Sequence, residues 1–135
     1  MNTSIVAATA ALAAANLLAN GGTLSIYSGA MPARPEDPAT GTKLATWTFG
    51  ATAFGTITGP VGGNIEAPAT FVSGTVTPSA NGTGGYARSW KSDGTTPIGD
   101  YTVGTSGADV NLTTTTFSTS VPATISSFKH KMPAV

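Results

Sequence analysis

Turn-forming residues interrupt this chain at short intervals from Gly21 to its end. Glycine, proline, asparagine and aspartate cluster about every 8–12 residues, and runs rich in threonine, β-branched and aromatic residues lie between the clusters. Such intervals suit short strands and leave no room for helices of ordinary length. The pattern therefore predicts a mainly β protein, an antiparallel β-sandwich of the immunoglobulin-like or jelly-roll-like type, preceded by one short α-helix.

The predicted strands follow the alternation of apolar and polar residues, and they form a single domain over residues 1–135. Residues 50–66 are expected to be loop-like with brief strand contacts, because Gly59-Pro60 and Gly62-Gly63 are strong turn signals. Ile125 and Phe128 are three positions apart, so a bulge is expected if both face inward. The strands are predicted at 23–28, 43–49, 69–77, 86–91, 98–103, 110–117 and 120–132.

Residues 1–22 are assigned to a helical segment, and residues 23–135 to the β-sandwich. Alanine, leucine, isoleucine and valine fill most of positions 5–19, Thr3 or Ser4 is suited to cap the start, and Asn20-Gly21-Gly22 is suited to end it. A signal peptide is disfavoured because no basic residue precedes the run, and a membrane span is disfavoured because the run is short. We expect a helix packed on its own domain or on a neighbour.

The charge content argues against several classes of partner. Only 9% of the residues are charged, and six basic side chains balance six acidic ones. We therefore expect neither nucleic-acid binding, which needs a basic excess, nor membrane-surface binding. The chain has no cysteine, which excludes disulfides and thiolate metal sites. Low net charge favours association with other subunits.

Few residues have the chemistry of a catalytic or metal site. The single histidine, His130, lies between Lys129 and Lys131 and is expected on an exposed face. No nucleophile-elbow motif or nucleotide-binding loop occurs, so we expect no catalytic residue, no cofactor and no enzymatic activity. Asp93, Asp100 and Asp109 would hold calcium only if their turns met, and no metal is expected.

The aromatic residues Trp47, Tyr86 and Trp90 leave two alternatives open. They could form an exposed platform on which a sugar stacks, or they could fill the core of a small sandwich. We favour the core, because large aromatic side chains in short strands usually supply much of a small domain's buried area.

Several stretches, taken in order, resemble small structural proteins encoded in the structural regions of tailed bacteriophages and prophages. The marker of that family is G-x-L-x-I-Y-x-G-x-x-P near the start, and a later marker is V-G-T-S-G-A-D-x-x-L. Ser89, Pro97 and Ile98 depart from the family pattern, which puts the local strand pairing in doubt. The matching stretches are residues 22–32, 41–49, 86–94, 100–112 and 127–133.

The resemblance implies a β-rich virion component and not an enzyme. It suggests a capsid decoration or minor capsid protein, made in the host cytoplasm, that binds the major capsid protein and copies of itself as a dimer or trimer. The alternatives are a tail or fibre module that binds a host glycan, and a small hydrolase that would use His130 as its base. The expected contact residues lie in the helix, in the loop at 31–38 and at the C-terminal end: Ile5, Leu12, Met31, Arg34, Glu36, Asp37, Lys129, His130 and Lys131.

Overall fold

The computed structural model describes residues 4–134. The described chain has one helix and twelve short strands. They are α1 (Ile5–Leu18), β1 (Thr23–Tyr27), β2 (Lys43–Phe54), β3 (Thr58–Val61), β4 (Asn64–Phe71), β5 (Thr75–Val76), β6 (Gly82–Thr83), β7 (Tyr86–Trp90), β8 (Pro97–Tyr101), β9 (Val103–Gly104), β10 (Val110–Leu112), β11 (Thr116–Phe117) and β12 (Ala123–Pro133). The mainly β class with one helix is confirmed.

Ten of the strands form one sheet that curls round on itself. Its order is β8-β7-β1-β2-β4-β12-β10-β9, with β3 paired to β4 and β5 paired to β12. The two strands at the ends of this order, β8 and β9, are separated in the chain by Thr102 alone. The ends of the sheet therefore meet, and the result is a sandwich-like, flattened barrel. All pairs are antiparallel except β9 with β10.

The core lies inside this curled sheet. Alternate residues of the strands point inward, as period-2 patterning requires. Leu24 and Ile26 of β1 lie in one buried cluster with Trp47 and Phe49 of β2, and Phe128 of β12 belongs to the same cluster. Phe128 lies with its ring centroid 6.4 Å from that of Phe49. The assignment of Trp47 to the core agrees with the structure.

The strand prediction differs from the structure in three stretches of the chain. Residues 50–66 form the end of β2, all of β3 and the start of β4, so this stretch is mostly strand and not mostly loop. The strand expected at 69–77 is instead the end of β4 and the short β5, and the strand expected at 110–117 is interrupted between β10 and β11. The register shift opposite Ile125, where β10 meets β12, is the expected bulge.

Helix α1 packs on the sheet through one narrow row of side chains. Ser4 caps its start by accepting a hydrogen bond from the Ala7 amide (3.2 Å), whereas Thr3, the other candidate, lies outside the described residues. Ala8, Leu12 and Asn16, spaced four apart, are its buried residues. Leu12 is fully buried against Ile65 of its own domain, so the expectation that it contacts a partner is wrong.

No helix within residues 4–134 has the length and apolarity needed to cross a membrane.

Candidate functional site

The loop at residues 29–41, which contains the expected contacts Met31, Arg34, Glu36 and Asp37, leaves the sheet and returns to the same place. Gly29 and Gly41 bring its two ends into backbone contact, and a side chain at either position would collide with the other end. Gly41 also has a φ of +73°, which glycine adopts without strain. Ser28 fixes the return of the chain, because its Oγ accepts a hydrogen bond from the Thr42 amide (2.9 Å).

Arg88 of β7 fixes the middle of this loop to the outer face of the sheet. Its side chain is 1% exposed and donates from Nη1 to the carbonyl oxygen of Asp37 (2.7 Å). The Tyr86 hydroxyl accepts a hydrogen bond from the Thr40 amide (2.9 Å). The loop thus covers a second, smaller buried layer, in which the rings of Tyr27 and Tyr86 stack 5.3 Å apart.

Asp100 of the neighbouring strand β8 holds the Arg88 guanidinium in a two-pronged ion pair. Nε donates to Oδ1 (2.6 Å) and Nη2 to Oδ2 (3.0 Å). This hydrogen bonding to Asp100 raises the pKa of Arg88 above its ordinary value. Burial raises the pKa of the nearby Tyr27 phenol. The guanidinium also lies over the rings of Tyr86 and Trp90, at 5.9 and 5.7 Å from their centroids.

The sequence did not predict the role of Arg88, although it contained a signal. Tyr86, Arg88 and Trp90 alternate along one face of a predicted strand, and an arginine between two aromatic residues is a common cation–π arrangement. The partner, Asp100, lies in β8, within the strand predicted at 98–103. Because β7 and β8 pair with Arg88 directly opposite Asp100, the ion pair follows from the register.

His130 faces inward, which corrects the expectation of an exposed histidine. Strand alternation places Lys129 and Lys131 outside and His130 inside, where its ring lies 5.1 Å from that of Phe54 and 5.8 Å from that of Tyr101. Nδ1 lies 2.7 Å from Oδ1 of Asn16, and it donates to this oxygen in the tautomer that carries its proton on Nδ1. Burial lowers the pKa of His130, against a smaller opposing effect of the Asp109 carboxylate.

A groove brings together the loop and the C-terminal end, two of the three expected contact regions. It has a volume of about 320 Å³ and is lined by Pro35, by the end of β8 and by residues 129–131. Lys129 is paired with Glu66 of β4 (3.1 Å). Met31 and Arg34, like Glu36, are exposed in the loop above, and Arg34 pairs with Asp37 (3.3 Å) within the loop.

The third expected contact region, the helix, presents an exposed surface without charge. Ile5 is 45% exposed, and Val6 and Leu17 are 82% and 68% exposed. The helix contains no acidic or basic residue, so nothing charged separates these side chains. The exposed helix surface consists of Ile5, Val6, Ala7, Ala10, Ala11, Ala13, Ala14, Leu17 and Leu18.

The three aspartates considered as calcium ligands serve separate local roles. Asp93 accepts hydrogen bonds from the Thr95 and Thr96 amides (both 2.9 Å) and from the Thr96 hydroxyl, which lowers the pKa of Asp93 to about 2. Asp100 is bound to Arg88, and Asp109 accepts from the Thr102 amide (3.2 Å). Within residues 4–134, no three histidine, aspartate or glutamate side chains cluster as a metal site would require.

Comparison with known proteins found no matching family model, no similar curated protein and no similar solved structure.

Proposed function

We propose that this chain is a structural protein of a tailed-bacteriophage virion, and specifically a capsid decoration protein. It would bind the major capsid protein and further copies of itself, as a dimer or trimer, on the capsid surface. The observation that carries the proposal is the uncharged, apolar exposed surface of α1. Contiguous apolar surface of this kind is typical of proteins that function inside an assembly. The ordered sequence markers of the phage family support the same conclusion.

The anchored loop supports a role in assembly as well. Because Arg88 and Tyr86 hold the loop from below, Met31, Arg34 and Glu36 are presented on a fixed backbone. A surface that is ordered before binding loses less conformational entropy when a partner docks. This property suits a protein that must bind the same surface many times over a capsid.

The alternative of a glycan-binding tail module has less support. A sugar platform needs an exposed aromatic face, but Trp47 and Tyr86 are both fully buried, and Trp90 is half-buried beside Arg88. The hydrolase alternative needs a carboxylate to orient His130, whereas Nδ1 of this residue contacts the Asn16 amide.

A capsid-binding experiment tests the proposal. The purified protein is mixed with particles that lack it, and co-sedimentation is measured. Leu17→Asp places a charge in the exposed helix surface and is expected to abolish co-sedimentation. Val72→Asp is the matched control, because Val72 is 75% exposed but is not part of the helix and lies in the chain between β4 and β5.

The stoichiometry of the particle provides an independent test. A decoration protein is present in many copies on the head, and cryo-EM or gel quantitation of purified virions measures this directly. A copy number of only a few per virion, or density on the tail alone, would contradict the proposal. Equal binding by the Leu17→Asp and Val72→Asp variants would show that the helix surface is not the contact.

A further inference from the structure

The curled sheet lacks one strand at the place where its two ends meet. β10 bridges β9 and β12, but it begins only at Val110. Where β10 would lie if it began before Val110, β8 pairs with β7 alone, and the 129–133 part of β12 pairs with β4 alone. Because β8 continues β9 through Thr102, the facing edges of β8 and β12 are separated by the space that β10 would occupy if it were longer. We call this space the strand gap.

Asp109 closes one end of the strand gap. Its carboxylate accepts from the Thr102 amide (3.2 Å), and the next amide, that of Val110, donates to the Thr102 carbonyl (3.0 Å). These bonds fix the point at which the chain leaves the sheet. The groove described above continues from there between Gly99 and Tyr101 on one side and residues 129–131 on the other. No helix residue lines this groove.

The floor of the strand gap is apolar and closed. The ring of Tyr101 lies edge-on against Phe128, with centroids 4.8 Å apart, and it also lies edge-on against His130. Both Tyr101 and Phe128 belong to the main core. A strand placed in the gap would therefore have room for only a small apolar side chain pointing inward.

The rim of the strand gap has an uneven charge. Asp100 is neutralised by Arg88 and Lys129 by Glu66, whereas Lys131, which lies opposite Glu66 in the register of β12 with β4, is in no ion pair within residues 4–134. Phe128 pairs with Val110, so Lys129 is level with Asp109, and Lys131 is two residues further from that carboxylate. An acidic side chain would be attracted to the end of the gap beside Lys131 and repelled from the end beside Asp109.

We propose that the strand gap binds an extended segment of another polypeptide, which adds a strand between β8 and β12. The segment has an acidic residue beside Lys131 and a small apolar residue over Tyr101 and His130. Recognition by strand addition uses main-chain hydrogen bonds for affinity and alternate side chains for specificity. Here both neighbouring edges are available, so the added strand would be bonded on two sides. This inference does not depend on the virion assignment.

The position of the helix favours a segment from another chain. Asn16 contacts His130 near the gap, while Ala8 packs by Ala134 at the far end of β12. Ser4 therefore lies about 18 Å along the helix axis from Asn16, at a rise of about 1.5 Å per residue. The helix therefore begins at its end away from the gap.

A nuclear magnetic resonance titration tests the proposal with a defined probe, the peptide Ac-Thr-Glu-Ala-Thr-Thr-NH2. Its alanine matches the inward position, and its glutamate matches the outward position beside Lys131. We expect amide shift changes confined to residues 98–102 and 128–132, which saturate with a dissociation constant of roughly millimolar size, since only about three residues fit the gap. A peptide that is N-methylated at the alanine and the following threonine loses one donor to each edge and should not bind.

Two charge-reversal variants complete the test. Lys131→Glu should weaken binding roughly three- to tenfold, because it replaces attraction with repulsion at one exposed pair. Lys43→Glu is the matched control, since Lys43 is also exposed but begins β2, away from the gap, and its binding should be unchanged. Absence of localised shifts at about 10 mM peptide, equal binding of the N-methylated peptide, or equal effects of the two variants would overturn the proposal.

Discussion

The loop at residues 29–41 and the helix α1 form opposite kinds of surface. The loop holds a quarter of the charged residues, with three prolines and no regular structure, yet buried groups fix it from below. The helix is regular and apolar, yet its only buried residues are Ala8, Leu12 and Asn16. The irregular loop is therefore held to the sheet by more specific contacts than the regular helix, which leaves more of its apolar side chains exposed.

The difference shows that local regularity and tertiary anchoring are separate properties. Helical hydrogen bonds satisfy the backbone of α1 without help from the rest of the domain. The loop forms no regular ladder of backbone hydrogen bonds, so some of its carbonyl and amide groups bond to side chains of the sheet, such as Arg88 and Tyr86. A substitution that removes these side chains should affect the loop, and a substitution under the helix should affect the helix.

The largest effect is expected from Arg88→Ala. The substitution leaves the Asp100 carboxylate buried without its cation and the Asp37 carbonyl without its donor. Breaking a buried ion pair by removing one partner costs about 3–5 kcal/mol of unfolding free energy. Urea denaturation should show this loss, and proteolysis should cleave the loop faster in the folded variant than in the unaltered protein.

A double variant sharpens that result. Arg88→Met combined with Asp100→Leu removes both charges, so no uncompensated carboxylate remains, and stability should recover in part. The loop should nevertheless stay sensitive to protease, because the bond to Asp37 is still missing. Unchanged proteolysis in both variants would mean that Arg88 does not anchor the loop.

The second-largest loss of unfolding free energy is expected where the helix packs on the sheet. Leu12→Ala removes the largest side chain that α1 buries, at a site with no exposure. We expect a loss of about 2–3 kcal/mol, at the low end for buried leucine, because the small cluster under the helix is able to relax. Leu17→Ala is the matched control, since Leu17 is 68% exposed, and it should change stability by less than about 0.5 kcal/mol. Equal losses would contradict this account of the helix.

A smaller effect is expected from the titration of His130, which joins the helix to β12. Burial lowers its pKa from the ordinary 6.5, so the unfolded chain binds a proton before the folded protein does as the pH falls. The free energy of unfolding should therefore be undiminished above about pH 6.5 and should decrease below it. Urea midpoints between about pH 7.5 and pH 5 measure this decrease.

The variant His130→Gln is the control for that titration. It retains a polar side chain near Asn16 but has no proton to gain, so its midpoint should change less over the same pH range. Asp93 does not interfere, because its pKa is lowered from 3.8 to about 2 and it titrates at more acidic pH. An equal pH dependence in both proteins would assign the effect to another group.

Much of the architecture could be predicted from the sequence because it depends on local patterns. The apolar run of α1, the alternation around Leu24 and Ile26, and the bulge near Ile125 each follow from spacing along the chain. The strand order that leaves β8 and β9 at the two ends of the sheet did not follow, because it is set by pairings such as β1 with β7 and β4 with β12, between segments that are distant in sequence.

The parts of the site that were missed depend on strand register. The role of Arg88 requires Asp100 on the adjacent strand and Asp37 in a loop, 12 and 51 positions away. His130 was misplaced because its lysine neighbours were given more weight than the alternation that puts it on the opposite face. The strand gap is a property of where β10 begins, which no residue pattern near Val110 specifies.

The smallest effect on stability is expected from removing the exposed ion pair within the loop. Arg34 is 73% exposed and pairs with Asp37 within the same turn (3.3 Å). Exposed pairs contribute about 0–1 kcal/mol, because solvent screens them and both side chains lose freedom. Arg34→Ala should therefore change the urea midpoint little and leave loop proteolysis at its original rate, in contrast to Arg88→Ala. A large loss of stability in Arg34→Ala would mean that the loop is held by its own charges. The loop would then not depend on the sheet for its anchoring, and the contrast with the helix would fail.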